Sequence, residues 1–154
     1  MTWSESYSLE MAPFPLPSRG SLHHVELRVA SSDTSISVWE WLLLELGYHE
    51  YQTWTNGATW KLGDTYLVVE QTTRIGAHDR RSAGLSHLAF HADDQADVDQ
   101  LWDAAPAHGW AHLYDDRHPW AGGQPAGNSP GHYAAFLEND ERFKVEIVAS
   151  RLTR

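Results

Sequence analysis

The sequence predicts an α+β fold made of two tandem βαβββ modules, and three observations lead to this prediction. Residues 22–29, LHHVELRV, alternate between polar and apolar side chains, as a strand with one buried face does. Residues 85–92, LSHLAFHA, repeat this histidine-bearing pattern roughly sixty residues later, and apolar residues at helical spacing follow both segments. Three short strand-like segments come after the first helix. The repeated order of elements indicates an internal duplication.

The first module is predicted to span residues 21–72. The polar face of its first strand carries His24, Glu26 and Arg28. A helix is predicted next, ending at Gly47, and it has three candidate N-cap residues, which are Ser32, Asp33 and Ser35. Hairpin-turn dipeptides, Asn56-Gly57 and Gly63-Asp64, separate the last three predicted strands, at residues 48–54, 58–62 and 65–71.

The second module is predicted to span residues 84–150, after a polar linker. Asp93 or Asp94 is expected to cap its helix, which Pro106 should stop. The remaining strands of this module are predicted at residues 110–114, 132–137 and 143–150. The module is about 14 residues longer than the first, and the Gly- and Pro-rich loop at 115–131 absorbs the difference. An insertion in one copy only is typical of a functional loop.

Composition and charge restrict the partners. The chain has 154 residues, 11 Lys plus Arg and 21 Asp plus Glu, for a formal net charge of −10. This charge disfavours nucleic acid and anionic membranes and favours a small-molecule substrate or ligand. Cysteine is absent, which excludes thiolate sites, and no apolar run or signal peptide is evident. We therefore expect a cytoplasmic protein. Residues 1–20 are expected to form an extended N-terminal arm ahead of the two modules.

Two carboxylates occupy equivalent positions in the last strands of the two modules. Glu70 lies in YLVVEQT and Glu146 in FKVEIVA. Burying such a carboxylate is costly unless it is paired, protonated or bound to a cation. Together with His24 and His87 on the two repeated strands, the carboxylates suit a divalent transition ion such as Zn, Ni, Fe, Mn or Co.

These four motifs, His24 in HHVELRV, Glu70 in VVEQ, His87 in SHLAFHA and Glu146 in FKVEIV, resemble the vicinal oxygen chelate superfamily. Its members include glyoxalase I, bleomycin resistance proteins, fosfomycin-resistance transferases and extradiol dioxygenases. The resemblance covers residues 21–150 and implies a curled mixed sheet around a metal-centred cleft. It implies one donor set, namely His24, Glu70, His87 and Glu146. The turn before the last strand, residues 139–142, departs from the DPDG common in the superfamily.

The resemblance implies a metal-dependent lyase or isomerase of glyoxalase type, acting on a small oxygenated substrate through a metal-stabilised enediolate or comparable oxyanion. Glu146 and Glu70 would share the role of general base. One alternative is a metal-free protein that sequesters an aromatic natural product, as in antibiotic resistance. A second alternative is an iron-dependent extradiol dioxygenase, because the chain also contains a triad of two histidines and one glutamate.

Further residues are candidates for the substrate cleft. Glu26, His91 and Arg28 share strand faces with the donor set, so we expect a salt bridge in the cleft or a position at its rim, or alternatively a supporting or general-base role. Trp60 and Trp120 are expected in the core, or on the cleft wall if they stack a flat substrate. Trp120 also makes the 115–131 loop a candidate lid. Open curled sheets leave exposed edges, and the resemblance implies pairing of modules between chains, so we expect a homodimer.

Overall fold

The structure is a computed structural model that describes residues 17–152, in which two four-stranded mixed sheets and two α-helices form an α+β fold. The fold class is therefore as predicted. The first module contains β1 (His24–Val29), α1 (Ser32–Glu45), β2 (His49–Trp54), β3 (Gly57–Leu62) and β4 (Thr65–Gln71). The second contains β5 (Leu88–Asp94), α2 (Gln95–Ala104), a 3-10 helix (Ala105–His108), β6 (Trp110–Leu113), a 3-10 helix (Asp115–Arg117), β7 (Ala134–Asn139) and β8 (Lys144–Arg151).

Both sheets have the same topology. The first has the strand order β1-β4-β3-β2 and the second the order β5-β8-β7-β6, so the first and last strands of each module are neighbours. These neighbours are parallel, and the other pairs are antiparallel. Arg28 is opposite Glu70 in the first sheet, and Ala89 is opposite Glu146 in the second. The parallel pair thus places the histidine-bearing strand of each module beside its glutamate-bearing strand.

A single hydrophobic core joins the two modules. Trp39 of α1 makes edge-on contacts with Trp110 of β6 and with Phe143 next to β8, at ring-centroid distances of 5.0 and 5.8 Å. Trp110 Nε1 donates a hydrogen bond to the carbonyl oxygen of Val38 at 3.0 Å. All three rings are nearly or fully buried. Burial of large aromatic side chains is a major source of stability, so the contact between α1 and the second sheet fixes the modules to each other.

The N-terminus of α1 is held from the second module. Glu141, in the turn between β7 and β8, accepts hydrogen bonds from the backbone N–H of Ala30 (3.1 Å) and of Ser31 (3.3 Å) and from Ser35 Oγ (2.6 Å). A carboxylate at this position satisfies the two N–H groups just before the helix and interacts favourably with the helix dipole. The predicted local capping of α1 was wrong in detail, because Ser31 is the N-cap and makes no side-chain cap bond.

The predicted elements are present, with shifts at their ends. The second histidine strand begins at Leu88, not at residue 85, so His87 lies just before it. Asp94 is the N-cap of α2 and accepts from the backbone N–H of Asp97 at 3.2 Å, as predicted. No helix among the described residues has the length and apolar character needed to cross a bilayer. Most of the expected N-terminal arm, residues 1–16, lies outside the described residues.

Candidate active site

Glu146 is a buried carboxylate in the middle of β8. Glu146 is only 7% exposed, and its strand neighbours Val145 and Ile147 are fully buried on the opposite face. Across the sheet it is flanked by Ala89 of β5 and Phe136 of β7. An ionised carboxylate in such apolar surroundings needs hydrogen-bond or ionic partners. Its partners therefore define the chemistry of this sheet face.

The partners are two imidazoles, one at each oxygen of the Glu146 carboxylate. Nε2 of His87 lies 3.2 Å from Glu146 Oε2, and Nε2 of His132 contacts Glu146 Oε1. His87 is delivered by the segment just before β5, and His132 by the segment just before β7. Both rings are partly open to solvent. The three side chains, hereafter the Glu146 cluster, combine a fixed carboxylate with two accessible imidazoles.

His132 is the functional candidate that sequence reasoning missed. The sequence placed it at the start of a predicted strand, whereas β7 begins two residues later, at Ala134. Its contact with Glu146 depends on the path of the 115–131 loop. In the sequence the only signal was its position directly after that insertion.

Glu70, the corresponding carboxylate of the first module, has a different partner. Arg28 Nη1 donates to Glu70 Oε2 at 2.7 Å, and Arg28 Nη2 lies 2.6 Å from Glu26 Oε1. One guanidinium thus bridges two carboxylates on the polar face of the first sheet. Glu26, an expected cleft residue, is a salt-bridge partner here. A metal ion at Glu70 would have to compete with Arg28.

His24 lies at the start of β1 and is exposed. Its Nδ1 shares a hydrogen bond of 2.8 Å with Nδ1 of His23, and its ring stacks on Tyr66 of β4 at a centroid distance of 4.8 Å. His24, Glu26, Arg28 and Glu70 all lie on the polar, solvent-facing side of the first sheet. This face has the donors that the sequence predicted, with Tyr66 as the support for the imidazole.

The four members of the predicted donor set do not converge in one chain. His87 meets Glu146, but Glu70 pairs with Arg28 and His24 with His23. Within residues 17–152, no group of three His, Asp or Glu side chains is arranged so that it could hold a metal ion. Each sheet does carry donors of the kind that divalent transition ions prefer, imidazole nitrogen with carboxylate oxygen. In kind the donors fit such an ion, but in the first sheet His24 is paired with Tyr66, four residues along β4 from Glu70.

The remaining predicted cleft residues lie elsewhere. Trp60 is fully buried in the core, so it forms no wall of an open cleft. His91 bonds through Nδ1 to Ser150 Oγ at 2.9 Å and lines a cavity of about 350 Å³ with Glu45, Asp93 and other residues at the C-terminal end of α1. Trp120 packs edge-on against Tyr133 at 5.0 Å. These positions and contacts of the three side chains all involve residues outside the Glu146 cluster.

The base of the 115–131 loop is attached to α2. Trp102 of α2 lies between the parallel rings of His112 and His118, at centroid distances of 3.6 and 3.8 Å. Burial lowers the pKa of His118, which favours the neutral imidazole in this stack. Tyr133 donates to Asp99 Oδ1 at 2.7 Å, and burial, followed by this bond, raises the Tyr133 pKa to about 12.

Comparison with known proteins shows relatives along most of the chain. No family model matches. The chain is 45% identical over 131 residues to the uncharacterised protein YqjT of Bacillus subtilis (strain 168), covering 83% of this chain and 98% of that protein. A solved structure of a candidate glyoxalase from Bacillus halodurans is 48% identical with a TM-score of 0.77, covering 85% and 96%. A variant of the fosfomycin resistance protein FosX from Listeria monocytogenes, complexed with Mn(II) and a dihydroxypropylphosphonic acid, is 14% identical with a TM-score of 0.60, covering 86% and 91%, and shares the fold alone.

Proposed function

The chain belongs to the vicinal oxygen chelate family of glyoxalases, bleomycin resistance proteins and dioxygenases, and from this membership we propose that it is a metal-dependent lyase or isomerase of glyoxalase type. The observation that carries the proposal is the Glu146 cluster. A buried carboxylate held by two solvent-accessible imidazoles is arranged for proton transfer to or from a small bound molecule.

In this proposal Glu146 removes a proton next to a carbonyl group of the substrate. His87 and His132 hold one carboxylate oxygen each, so the carboxylate keeps one orientation while the proton moves. Glu70 would be the second acid-base group once it is released from Arg28. Glu146 itself is only 7% exposed, so a molecule bound at the two imidazoles would meet a carboxylate that is largely shielded from water.

A divalent ion fits the proposal as a cofactor. Its candidate protein ligands are His87 and Glu146 of the second module and His24 and Glu70 of the first. When bound, such an ion would supply a Lewis acid that stabilises negative charge on the oxygens of a substrate. The Mn(II) in the FosX complex supports this assignment by analogy of fold. The choice among Zn, Ni, Fe, Mn and Co stays open.

We further propose that two copies of the chain complete the site as a homodimer. The donors of one chain do not converge, although both sheets carry donors that are at least partly exposed. All six residues of β2, at the edge of the first sheet, are exposed, including Tyr51 (47%) and Trp54 (40%). An exposed aromatic edge strand is a natural pairing surface. The first sheet of one protomer would then face the Glu146 cluster of the other.

The substrate class follows from the site and the net charge. A small, uncharged or cationic oxygenated molecule is compatible with a chain of net charge −10, and a cytoplasmic location is part of the proposal. Sequestration of an aromatic ligand has less support, because Trp60 is buried and Trp120 packs on Tyr133. An extradiol dioxygenase would consume oxygen with a catechol substrate, and an oxygen electrode separates it from a lyase or isomerase.

Elemental analysis of the purified protein tests the proposal. We expect one divalent ion per site in the wild type and its loss in His87→Ala and Glu146→Gln. His108→Ala, which removes an exposed histidine that stacks on Trp41 of α1, should keep the ion. A wild-type protein that stays free of metal after incubation with each of the five ions, at concentrations that saturate other family sites, would overturn the metal-dependent function.

A further inference from the structure

The 115–131 loop ends directly at His132, and it has no counterpart in the first module. The second module has this long loop and the first does not. Likewise, Glu146 has His132 as a partner and Glu70 does not. Glu146 has two imidazole partners, whereas Glu70 has the guanidinium of Arg28. The inserted loop and His132, the additional partner of Glu146, are thus both found in the second module.

The loop holds both the backbone and the ring of His132. The backbone N–H of His132 donates to the carbonyl oxygen of Gly123 at 2.9 Å. The ring lies directly over Gly122, where an added Cβ would be 3.0 Å from His132 Cγ and closer still to Cδ2. Only glycine leaves this space open. Gly122 therefore forms a seat that the imidazole of His132 occupies.

The base of the loop is fixed from the opposite side of the second sheet. Tyr133, the next residue, bonds to Asp99 of α2, and its carbonyl oxygen accepts from the N–H of Ala149 at 3.0 Å. Successive residues of an extended chain point to opposite faces. With Tyr133 anchored on α2, His132 points to the face that carries Glu146. The N–H of Ala134 also bonds to the carbonyl oxygen of Pro119 at 2.9 Å, which closes the loop.

We propose that His132 is a positioning residue for Glu146 and that the 115–131 loop serves to seat it. This inference rests on the proposed function, because it takes Glu146 to be the reacting carboxylate and an ion ligand. His132 occupies Oε1 and His87 occupies Oε2, so the carboxylate has one orientation. The loop is thereby a fixed part of the site and not a mobile lid, and Gly122 is a determinant of activity that touches no substrate.

Binding of Mn²⁺ alone tests the proposal, with four variants. His132→Ala and Gly122→Ala should both lower Mn²⁺ affinity by about 10- to 100-fold, as loss of a group that orients a ligand does. His132→Gln should recover part of the affinity, because its amide can donate to Glu146. Gly76→Ala is the matched control, since an added Cβ there meets nothing within 4 Å and the backbone is not strained. Wild-type Mn²⁺ affinity in His132→Ala would overturn the proposal.

A metal-free measurement keeps this proposal separate from the proposed function. In the nuclear magnetic resonance spectrum of the apoprotein, the Nε2 proton of His132 should be protected and shifted by its bond to Glu146. Glu146→Gln and Gly122→Ala should both change this signal, and Gly76→Ala should not. If the wild type binds no Mn²⁺, the metal-dependent function fails while this signal still decides the role of His132. A signal unaffected by Glu146→Gln and Gly122→Ala would overturn the positioning role.

Discussion

Arg28 of β1 and Glu70 of β4 face each other across the parallel strand pair of the first sheet, and Arg28 Nη1 donates to Glu70 Oε2 at 2.7 Å. In the second sheet the corresponding carboxylate, Glu146, meets imidazoles instead. The duplicated modules therefore differ in the charge that each places beside its glutamate. A permanent cation beside Glu70 makes it the more readily displaced ligand of the proposed site.

Replacing Arg28 by Met should raise Mn²⁺ affinity about fivefold. The change frees Glu70 and removes a positive charge close to the ion, worth roughly 1 kcal/mol in partly exposed surroundings. Isothermal titration with Mn²⁺ measures this effect. Lys61→Met is the control, because Lys61 lies on the same sheet over Tyr51 and not at Glu70. An equal gain in both variants, or none in Arg28→Met, would show that the ion pair does not regulate Glu70.

Glu70→Gln should weaken Mn²⁺ binding less than Glu146→Gln. Glu70 exchanges between Arg28 and the ion, whereas Glu146 is held by two imidazoles and is buried. Removing the charge of a buried ligand also leaves its partners unsatisfied. The two affinities, measured by the same titration, should differ clearly. Equal losses would mean that both carboxylates are fixed ligands.

Glu141→Ala should destabilise the protein by about 1–2 kcal/mol, the usual cost of losing a helix cap. Its carboxylate is the shared acceptor for Ala30, Ser31 and Ser35 at the start of α1. Urea denaturation gives the free energy of unfolding. Asp140→Asn, a change at the exposed neighbour in the same turn, should alter it by much less. If the two variants are equally stable, the carboxylate does not join the modules.

Stability should fall in acid partly because of Glu138. Burial pushes the pKa of Glu138 up, but hydrogen bonds from Arg142 and Arg80 outweigh burial and hold the pKa below 4.5. A carboxyl with a lowered pKa in the folded state stabilises the fold above its unfolded pKa and loses this contribution as pH falls through the folded pKa. Urea denaturation between about pH 5 and pH 3 should therefore show a shallower decline in Glu138→Gln. Parallel declines in both proteins would contradict this.

Local patterns predicted much of the fold. Alternation in HHVELRV correctly places Leu27 and Val29 in the core and Glu26 and Arg28 outside. Glycine at the end of the first helix was also correct, since Gly47 has φ of +85°. These features depend on neighbouring residues, and the sequence contains that information directly. The Arg28–Glu70 ion pair follows from the pairing of β1 with β4 within the first module.

Contacts between distant segments could not be predicted in this way. The cap on α1 comes from Glu141, more than a hundred residues along the chain from Ser31. His132 reaches Glu146 only because the loop folds over Gly122, and no periodicity describes such a path. Trp60 was a possible cleft residue because aromatic residues serve cores and pockets alike. The structure places Trp60 in the core, and this burial depends on packing against residues that are distant in the sequence.

The most direct test of the account is to mix two inactive half-sites. His24→Ala lacks a donor in the first module and His87→Ala lacks one in the second, so neither homodimer should bind the ion. If each site joins the first sheet of one protomer to the Glu146 cluster of the other, unfolding and refolding the two variants together restores intact sites in the mixed dimers. Mn²⁺ binding should then recover to about one quarter of the wild-type level, the fraction for random pairing in a symmetric dimer. Binding that stays at the level of the separate variants would contradict a metal site shared between two copies of the chain.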